Sequence, residues 1–151
     1  MNEQTGSWNH NNHYHDFLLT HVPLNAVSAL DVGCGSGEFA RQLAILCKSV
    51  DAIDPDLQAI TNGRNVSASF SNLNFYYESF EDNSFPLAHY DFVSAIASLH
   101  HMPLAPTLEK MKHLLKPNGT LAVLGLYKEE TISDLLWSIM AVSINSISRS
   151  K

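Results

Sequence analysis

Three glycines at alternate positions form the segment of this chain best suited to binding a ligand. Gly33, Gly35 and Gly37 follow an apolar run that ends with Asp31 and Val32. Glycine permits positive φ and close approach of the backbone, so the segment predicts a loop that wraps around a ligand. A helix should begin directly afterwards, and its free N–H groups would favour an anionic group. The spacing departs from the dinucleotide fingerprint G-x-G-x-x-G, because the third glycine comes one residue early.

Two acidic side chains follow later apolar runs and are candidates for holding a nucleoside. Asp54 comes at the end of the run 50–53 and directly before Pro55. A doubly wound fold presents a carboxylate to ribose hydroxyls at this point, although the same residue would also suit a helix N-cap. Glu78 follows the run 73–77, where it could equally belong to a solvated acidic loop. These positions indicate a nucleoside ligand without identifying it.

The histidines are the candidates for acid–base chemistry, because an unperturbed imidazole titrates near neutral pH. His100 and His101 follow the apolar run 90–96 and could act as a general base or cap the next helix. His13 lies beside Tyr14 in the polar segment 8–15, which could equally be an exposed helix start. These histidines lack the accompanying cysteine or carboxylate spacing of a zinc site, so the expected metal content is none.

Apolar periodicity predicts the elements that must position these residues. Strands are predicted at 27–32, 50–53, 73–77, 90–96 and 120–126. Helices are predicted over 8–22, after the glycine loop, from Pro55 to about Gly63, over 104–115 and over 132–142. The predicted apolar faces of the helices after the first comprise Phe39, Leu43, Leu46 and Cys47, then Leu57, Ile60 and Val66, then Leu104, Leu108, Met111, Leu114 and Leu115, and finally Ile132, Leu135, Leu136, Ile139, Met140 and Val142.

Alternation of strands and helices predicts an α/β fold, a Rossmann-like doubly wound, mostly parallel sheet of about five strands. Ligands bind such sheets at the carboxyl ends of the strands. The glycine loop, Asp54 and Glu78 should therefore converge on one pocket, together with the segment after Ile96. The turn at 116–119 should use Asn118 for a positive φ, since asparagine tolerates the left-handed region.

Three blocks of this sequence resemble a known enzyme family. The run D-x-G-x-G-x-G at 31–37 is similar to motif I of the class I S-adenosylmethionine-dependent methyltransferases. The block 91–102, in which Leu-His-His follows a strand, resembles the type-11 methyltransferase subgroup. The turn at 116–121 is similar to that subgroup's L-K-P-G-G-x-L, with Asn118 in place of the first glycine. The matching blocks span residues 30–127.

The resemblance implies S-adenosylmethionine as cofactor, S-adenosylhomocysteine as product, and methyl transfer to an unidentified small-molecule acceptor. The cofactor-binding residues it implies are Asp31, Gly33, Cys34, Gly35, Gly37, Asp54, Pro55, Glu78, Ser79, Phe80, Ala95 and Ile96. In the family an acid at the position of Glu78 contacts the adenine amino group, and Phe80 would pack on adenine or fill the core. The segment before the first strand often folds over the cofactor, so His13 or Tyr14 would line the acceptor side.

Bulk properties fit a single folded domain of 151 residues with a net charge of −6. Its expected parts are an N-terminal helical segment at 1–25, a cofactor-binding core at 26–127 and a C-terminal helix at 128–151. The chain shows no cluster of Lys and Arg, so no nucleic acid is expected as a partner. A signal peptide, a membrane span and a disulfide framework are not evident either, so a cytoplasmic, non-membrane protein is expected.

Two alternatives to an active methyltransferase remain open at this stage. The sixth and seventh strands of the family have no counterpart in the predicted elements, and the strand at 120–126 would form a bare edge open to homodimerisation. One alternative is therefore a shortened cofactor-binding module without turnover. The other, an NAD-dependent oxidoreductase, is disfavoured by the glycine spacing and by the Leu-His-His block.

Overall fold

The computed structural model describes residues 12–125 and 139–142, which form a sheet with helices on both faces. The strands are β1 (Ser28–Val32), β2 (Ser49–Asp54), β3 (Leu73–Tyr77), β4 (Tyr90–Ile96), β5 (Leu115–Leu124) and β6 (Ile139–Val142). The helices are α1 (Asn12–Leu19), α2 (Glu38–Leu46), α3 (Leu57–Val66) and α4 (Leu104–Leu114), with a 3₁₀ turn at Leu99–His101. The strand order is β3-β2-β1-β4-β5-β6, and the first five strands run parallel. The predicted α/β fold class is confirmed, and the strand order reverses between β1 and β4.

Both faces of β1 are buried, which explains its continuous apolar sequence. Ala29 packs in one core cluster with Leu43 of α2, whereas Leu30 packs in the other with Met111 of α4. The central strand is thereby fixed from both sides, and its carboxyl end delivers the glycine loop to a defined place.

A partly buried polar cluster around Asp91 of β4 lies at the amino end of the sheet. Its Oδ2 accepts hydrogen bonds from the backbone N–H groups of Val27 at 2.8 Å and Ser28 at 3.0 Å. The ammonium group of Lys116 lies 2.9 Å from the same oxygen. Burial raises the pKa of Asp91, but the bonds from Lys116, Val27 and Ser28 outweigh it and hold the pKa below its usual value. This cluster joins β1, β4 and β5.

Helix α3 differs from its prediction at both ends. Asp56, and not Asp54, caps it, because the Asp56 carboxylate accepts from the N–H groups of Gln58 and Ala59. Gly63 does not end the helix, which continues to Val66. A Cβ at Gly63 would lie 2.8 Å from Cε1 of Phe75, so this glycine allows close contact between helix and sheet.

Several residues assigned to predicted apolar faces are exposed. Leu46, Leu57, Val66 and Leu104 each expose more than half of their surface. They lie at or near helix ends, where a regular apolar pattern extends beyond the part of the helix that packs on the sheet.

Strand β5 begins at Leu115, earlier than predicted, and its pairing with β4 shifts between Tyr90 and Phe92. The shift accommodates Asn118, whose φ of 66° confirms the predicted left-handed conformation. A Cβ at Gly119 would lie 3.1 Å from the carbonyl oxygen of Tyr90.

The predicted C-terminal helix is wrong at residues 139–142, which form β6 and pair antiparallel with residues 121–124 of β5. The four residues are all apolar, so their pattern fits a strand as well as a helix, and only β5 offers them backbone partners. The prediction that β5 forms a bare edge is therefore wrong as well. The remaining part of that predicted helix, with its suggested cap by Thr131 and Asp134, lies outside the described residues.

Candidate cofactor site

The glycine loop between β1 and α2 has a positive φ at each alternate glycine, with values of 71° at Gly33, 53° at Gly35 and 74° at Gly37. A Cβ at Gly33 would lie 2.2 Å from Cβ of Ser98, and one at Gly37 would lie 2.5 Å from Cζ of Phe75. A Cβ at Gly35 would meet nothing within 4 Å. The outer glycines are thus required by protein packing, whereas Gly35 leaves open space for a ligand.

The loop is held to the carboxyl end of the sheet by its backbone. The N–H groups of Gly33 and Cys34 both donate to the carbonyl oxygen of Ile53, at 2.8 and 3.1 Å. The Ser98 hydroxyl donates to the carbonyl oxygen of Val32 at 2.8 Å, which joins the end of β1 to the segment after β4. The loop therefore spans the point where the strand order reverses, as expected for ligand binding in this type of sheet.

A cavity of about 260 Å³ lies against the loop. Its lining residues are His15, Asp31, Gly33, Cys34, Gly35, Ser36, Glu38, Phe39, Ile96 and Ala97. Neither lysine nor arginine is among these described residues, so the cavity is acidic.

Asp31 lies at the base of this cavity and is 2% exposed. Its Oδ1 accepts a hydrogen bond from the Ser94 hydroxyl at 2.8 Å. Burial raises the pKa of Asp31 to about 7, with the charge of Asp54 adding to the shift and the Ser94 bond opposing it. A buried carboxylate in this state would be stabilised by a cationic ligand group.

Asp54, at the end of β2, does not line the cavity itself but contacts Gly35, which does. Its Oδ2 accepts a hydrogen bond from Gly35 N at 2.8 Å, and its Oδ1 accepts one from Asp56 N at 2.8 Å. The carboxylate therefore fixes the centre of the glycine loop and is only partly buried. Pro55, the next residue, is exposed.

The segment after β3 carries the residues predicted to contact adenine. The backbone N–H of Glu78 donates to the carbonyl oxygen of Asp54 at 3.3 Å, which brings the two predicted positions together. Glu78 is exposed, and its carboxylate accepts a bond from the Asn83 side chain. The Ser79 hydroxyl, which is partly buried, donates to Glu81.

Phe80 is 2% exposed and packs in the core with Leu30 and Val93, so of its two predicted roles the structure shows the core contact. Ala95 is buried in the same cluster, whereas Ile96 lines the cavity.

Lys110 of α4 organises the loop after β3, a role that sequence reasoning missed. Its ammonium group donates to the carbonyl oxygens of Phe80, Glu81 and Asn83, at 2.5, 3.0 and 2.6 Å. It also lies 4.8 Å from the centre of the Phe80 ring. The only signal in the sequence was a lysine next to the apolar face of a helix, which is too common to predict this contact.

Cys34 lines the cavity, and its thiol is deactivated. Burial raises the pKa of this thiol, and the negative charges of Asp31 and Asp54 raise it further. The predicted contribution of Cys34 would therefore come from its backbone, since only the thiolate is strongly nucleophilic.

The predicted histidines do not meet at the cavity. His100 and His101 are exposed on the 3₁₀ turn, with ring centres 3.8 Å apart, and neither lines the cavity. The alternative that they cap α4 is wrong, because α4 begins after Pro103 without a side-chain cap. His13 lies in α1, but its side chain is outside the described part, and Tyr14 packs against the core.

His15 is the histidine that does line the cavity, and sequence reasoning missed it. It is 4% exposed, and its ring lies 5.0 Å from that of Phe39. A signal was present, since His15 stands three residues before the buried Leu18 and therefore on the same face of a helix.

The described residues contain neither a candidate metal site nor a membrane-spanning helix. No group of three His, Cys, Asp or Glu side chains within 12–125 and 139–142 is placed to hold a metal ion. In the same ranges, every helix is too short or too polar to cross a membrane.

Comparison with known proteins places this geometry in a family. Residues 29–119 match the family described as "Methyltransferase domain". The chain is 33% identical over 135 residues to an uncharacterized methyltransferase of Mycobacterium bovis, covering 87% of this chain and 66% of the relative. It is 31% identical over 107 residues to the ubiquinone biosynthesis O-methyltransferase of Paraburkholderia phytofirmans, covering 68% of this chain and 46% of that one.

A solved structure gives the same result for the fold. The N-methyltransferase NodS from Bradyrhizobium japonicum, in complex with S-adenosyl-L-homocysteine, matches with a TM-score of 0.67 and 20% identity. The match covers 78% of this chain and 63% of that one. This chain thus spans no more than about two thirds of the length of each protein compared.

Proposed function

This chain belongs to the class I S-adenosylmethionine-dependent methyltransferase family, and we propose that it transfers the cofactor's methyl group to a small-molecule acceptor. The observation that carries this proposal is the Asp31 carboxylate, buried under a glycine loop with open space at Gly35. S-adenosylmethionine is a cationic nucleoside derivative, and the acidic cavity beside Asp54 suits such a ligand. The finer assignment to the type-11 subgroup stays a prediction.

The proposed roles follow the position of each residue along the site. Asp31 would pair with the ammonium group of the amino-acid end. The backbone at Gly33, Cys34, Gly35 and Gly37 would approach the methionyl chain, with Ile96 closing the cavity. Asp54 would accept hydrogen bonds from the ribose hydroxyls, with Pro55 exposed beside it.

At the adenine end, Glu78 and the backbone at Ser79 would contact the base. Phe80 and Ala95 support this end from the core, and Lys110 fixes the loop that carries Glu78.

The bound cofactor supplies a methyl group on a sulfonium, which an oxygen, nitrogen, carbon or sulfur nucleophile displaces in line. The chain's own task is then to hold donor and acceptor in line and to exclude water. His100 and His101 are exposed away from the cavity, so the geometry does not favour either as a base.

The net charge of −6 argues against nucleic acid as the acceptor. The related enzyme of ubiquinone biosynthesis points to a small-molecule acceptor. Nucleic acid and membrane remain unexpected as partners, and a cytoplasmic location stays a prediction. A homodimer is also still a prediction, but it no longer has the bare edge of β5 as its basis.

A cofactor-binding module without turnover is the second candidate. Among the described side chains, neither His100 nor His101 lines the cavity, and this observation favours the second candidate. Calorimetry with S-adenosylmethionine, S-adenosylhomocysteine and NAD, followed by methyl-transfer assays on a panel of small acceptors, distinguishes the candidates. Binding of S-adenosylhomocysteine without transfer to any acceptor would favour the module, and binding of NAD alone would contradict both.

Substitution of Asp54 tests the site directly. We expect Asp54→Ala to weaken S-adenosylmethionine binding by about 100-fold, because two hydrogen bonds to a charged group are lost. Asp56→Ala is the matched control: it removes the α3 cap and about 1 kcal/mol of stability, with affinity nearly unchanged. An unchanged affinity in Asp54→Ala would remove this residue from the ribose role.

A further inference from the structure

His15 is held in one orientation by two contacts with α2. Its Nδ1 lies 3.1 Å from the side-chain nitrogen of Gln42, and its ring packs at a tilt of 57° against Phe39. An amide nitrogen only donates, so Nδ1 is the acceptor in this pair. The neutral imidazole therefore carries its proton on Nε2.

Burial keeps this imidazole neutral. It lowers the pKa of His15, and the opposing negative charges of Glu38 and Asp16 do not reverse the shift. Asp31 is the other acid that lines this cavity, and the described lining contains neither lysine nor arginine. At neutral pH, His15 is thus uncharged and available as a hydrogen-bond donor through Nε2.

The charged side chains of the described lining leave one part of the cofactor without a side-chain partner of opposite charge. The amino-acid end of S-adenosylmethionine carries an ammonium and a carboxylate. Asp31 and Glu38 suit the ammonium, but they would repel the carboxylate. Among the described lining residues, the nitrogen and oxygen side-chain donors are His15 and Ser36.

We propose that His15 is a specificity-determining residue whose Nε2–H donates a hydrogen bond to the cofactor's carboxylate. This inference rests on the proposed function, because it assigns a residue to one end of the same cofactor. Gln42 is a positioning residue here, since it fixes the tautomer that makes Nε2 the donor.

The test compares two ligands that differ only in the carboxylate: S-adenosylhomocysteine and its decarboxylated analogue. Calorimetry on the wild type should show a preference for S-adenosylhomocysteine. We expect His15→Phe to reduce that preference by about tenfold, because one hydrogen bond to a charged group is lost. Affinity for the decarboxylated analogue should change by less than about twofold. His15→Gln, which keeps a donor, should restore part of the preference, and Ser36→Ala is the matched control.

Equal weakening of both ligands by His15→Phe would show a purely structural role and overturn the inference. A preference that falls in Ser36→Ala but not in His15→Phe would also overturn it. If the wild type binds neither ligand, the proposed function fails as well, so the two failures are distinguishable.

Nitrogen NMR of the imidazole provides a measurement that requires no His15 variant. In the unliganded protein we expect the proton on Nε2, with a shift of that nitrogen when S-adenosylhomocysteine binds. Gln42→Leu removes the hydrogen bond to Nδ1, so both tautomers of His15 should become populated. The far-ultraviolet circular dichroism should stay unchanged, which would show that the fold is intact. A proton on Nδ1 in the wild type would overturn the inference.

Discussion

Asp91 and Asp31 lie toward opposite ends of the same sheet, and their carboxylates differ in burial, hydrogen-bond partners and pKa. Asp91 at the amino end accepts bonds from the backbone of Val27 and Ser28 and pairs with Lys116 at 2.9 Å. Asp31, toward the carboxyl end, is more deeply buried, and the Ser94 hydroxyl is its hydrogen-bond partner among the described residues. The pKa is held below its usual value in Asp91 and raised to about 7 in Asp31.

This difference distinguishes a carboxylate that stabilises the fold from one that is suited to binding a cationic ligand. The protein itself supplies the cation at Asp91, so the charge stabilises the fold whether or not a ligand is bound. Asp31 is buried with no cation beside it in the described part of the chain, which is unfavourable until a cationic group binds. Three experiments test this difference between the two ends of the sheet.

The largest effect is expected from Gly33→Ala, which disrupts the carboxyl end as a whole. The new Cβ would meet Ser98 at 2.2 Å in a backbone conformation with φ of 71°, so something must shift. We expect a loss of about 3–5 kcal/mol in the free energy of unfolding, from strain and overpacking together, measured by urea denaturation.

Gly35→Ala is the matched control, because its Cβ would meet nothing within 4 Å. It should cost only about 1–2 kcal/mol of stability, from the left-handed conformation, while weakening cofactor binding through the lost space. Similar stability losses in both variants would contradict the distinction between packing glycines and the ligand-facing glycine.

A smaller effect is expected from Asp31→Asn, which removes the titrating group. Asp31 has a pKa of about 7 in the folded protein, whereas in the unfolded chain it loses its proton near the ordinary carboxyl pKa of 3.8. Ionisation of Asp31 therefore lowers the stability of the folded protein as pH rises between these two pKa values. The melting temperature of the wild type should fall over this pH range, and it should fall less in Asp31→Asn.

The same substitution should remove a pH dependence of binding. Wild-type affinity for S-adenosylmethionine should rise about tenfold between about pH 6 and about pH 8, as the carboxylate ionises. Calorimetry on Asp31→Asn should show weaker and nearly pH-independent binding. A wild-type affinity that falls with pH over this range would contradict the proposed pairing with a cationic group.

The smallest effect is expected from Asp91→Asn at the amino end. Loss of the charge that pairs with Lys116 should lower the free energy of unfolding by about 1–2 kcal/mol, with cofactor affinity unchanged. Because the pKa of Asp91 is lowered, its contribution is present above the usual carboxyl pKa and is lost as pH falls through the lower, folded value. Asp82→Asn, at an exposed acid, is the control, and a large loss of affinity in Asp91→Asn would show that the two ends are coupled.

Sequence patterns placed the centre of the sheet accurately because β1 and β4 are buried on both faces. The predicted bounds of β3 and β4 are confirmed, and the glycine loop lies where its spacing predicted. The bounds of α3 could not be predicted in the same way. Gly63 is a helix breaker by local preference, but its close approach to Phe75 and Ser36 shows that the glycine is required for packing inside the helix.

Local patterns were also insufficient at 139–142 and along α1. An apolar run of four residues fits either a helix or a strand, and pairing with β5 decided the outcome. The sequence drew attention to His13, but the packing of α1 on α2 places His15 at the cavity. Periodicity identifies an apolar face, but a polar residue on that face is easily overlooked.

The sequence alone predicted the parallel α/β sheet, the glycine loop and the family, because these depend on local motifs and periodicity at separate places along the chain. Only the tertiary contacts show which buried acid has no cation beside it among the described residues, which histidine meets the loop and which lysine fixes the loop after β3. These properties arise from residues far apart in the chain, so burial and contact define them. Asp31, His15 and Lys110 therefore acquire their roles only when the sheet and its helices are assembled.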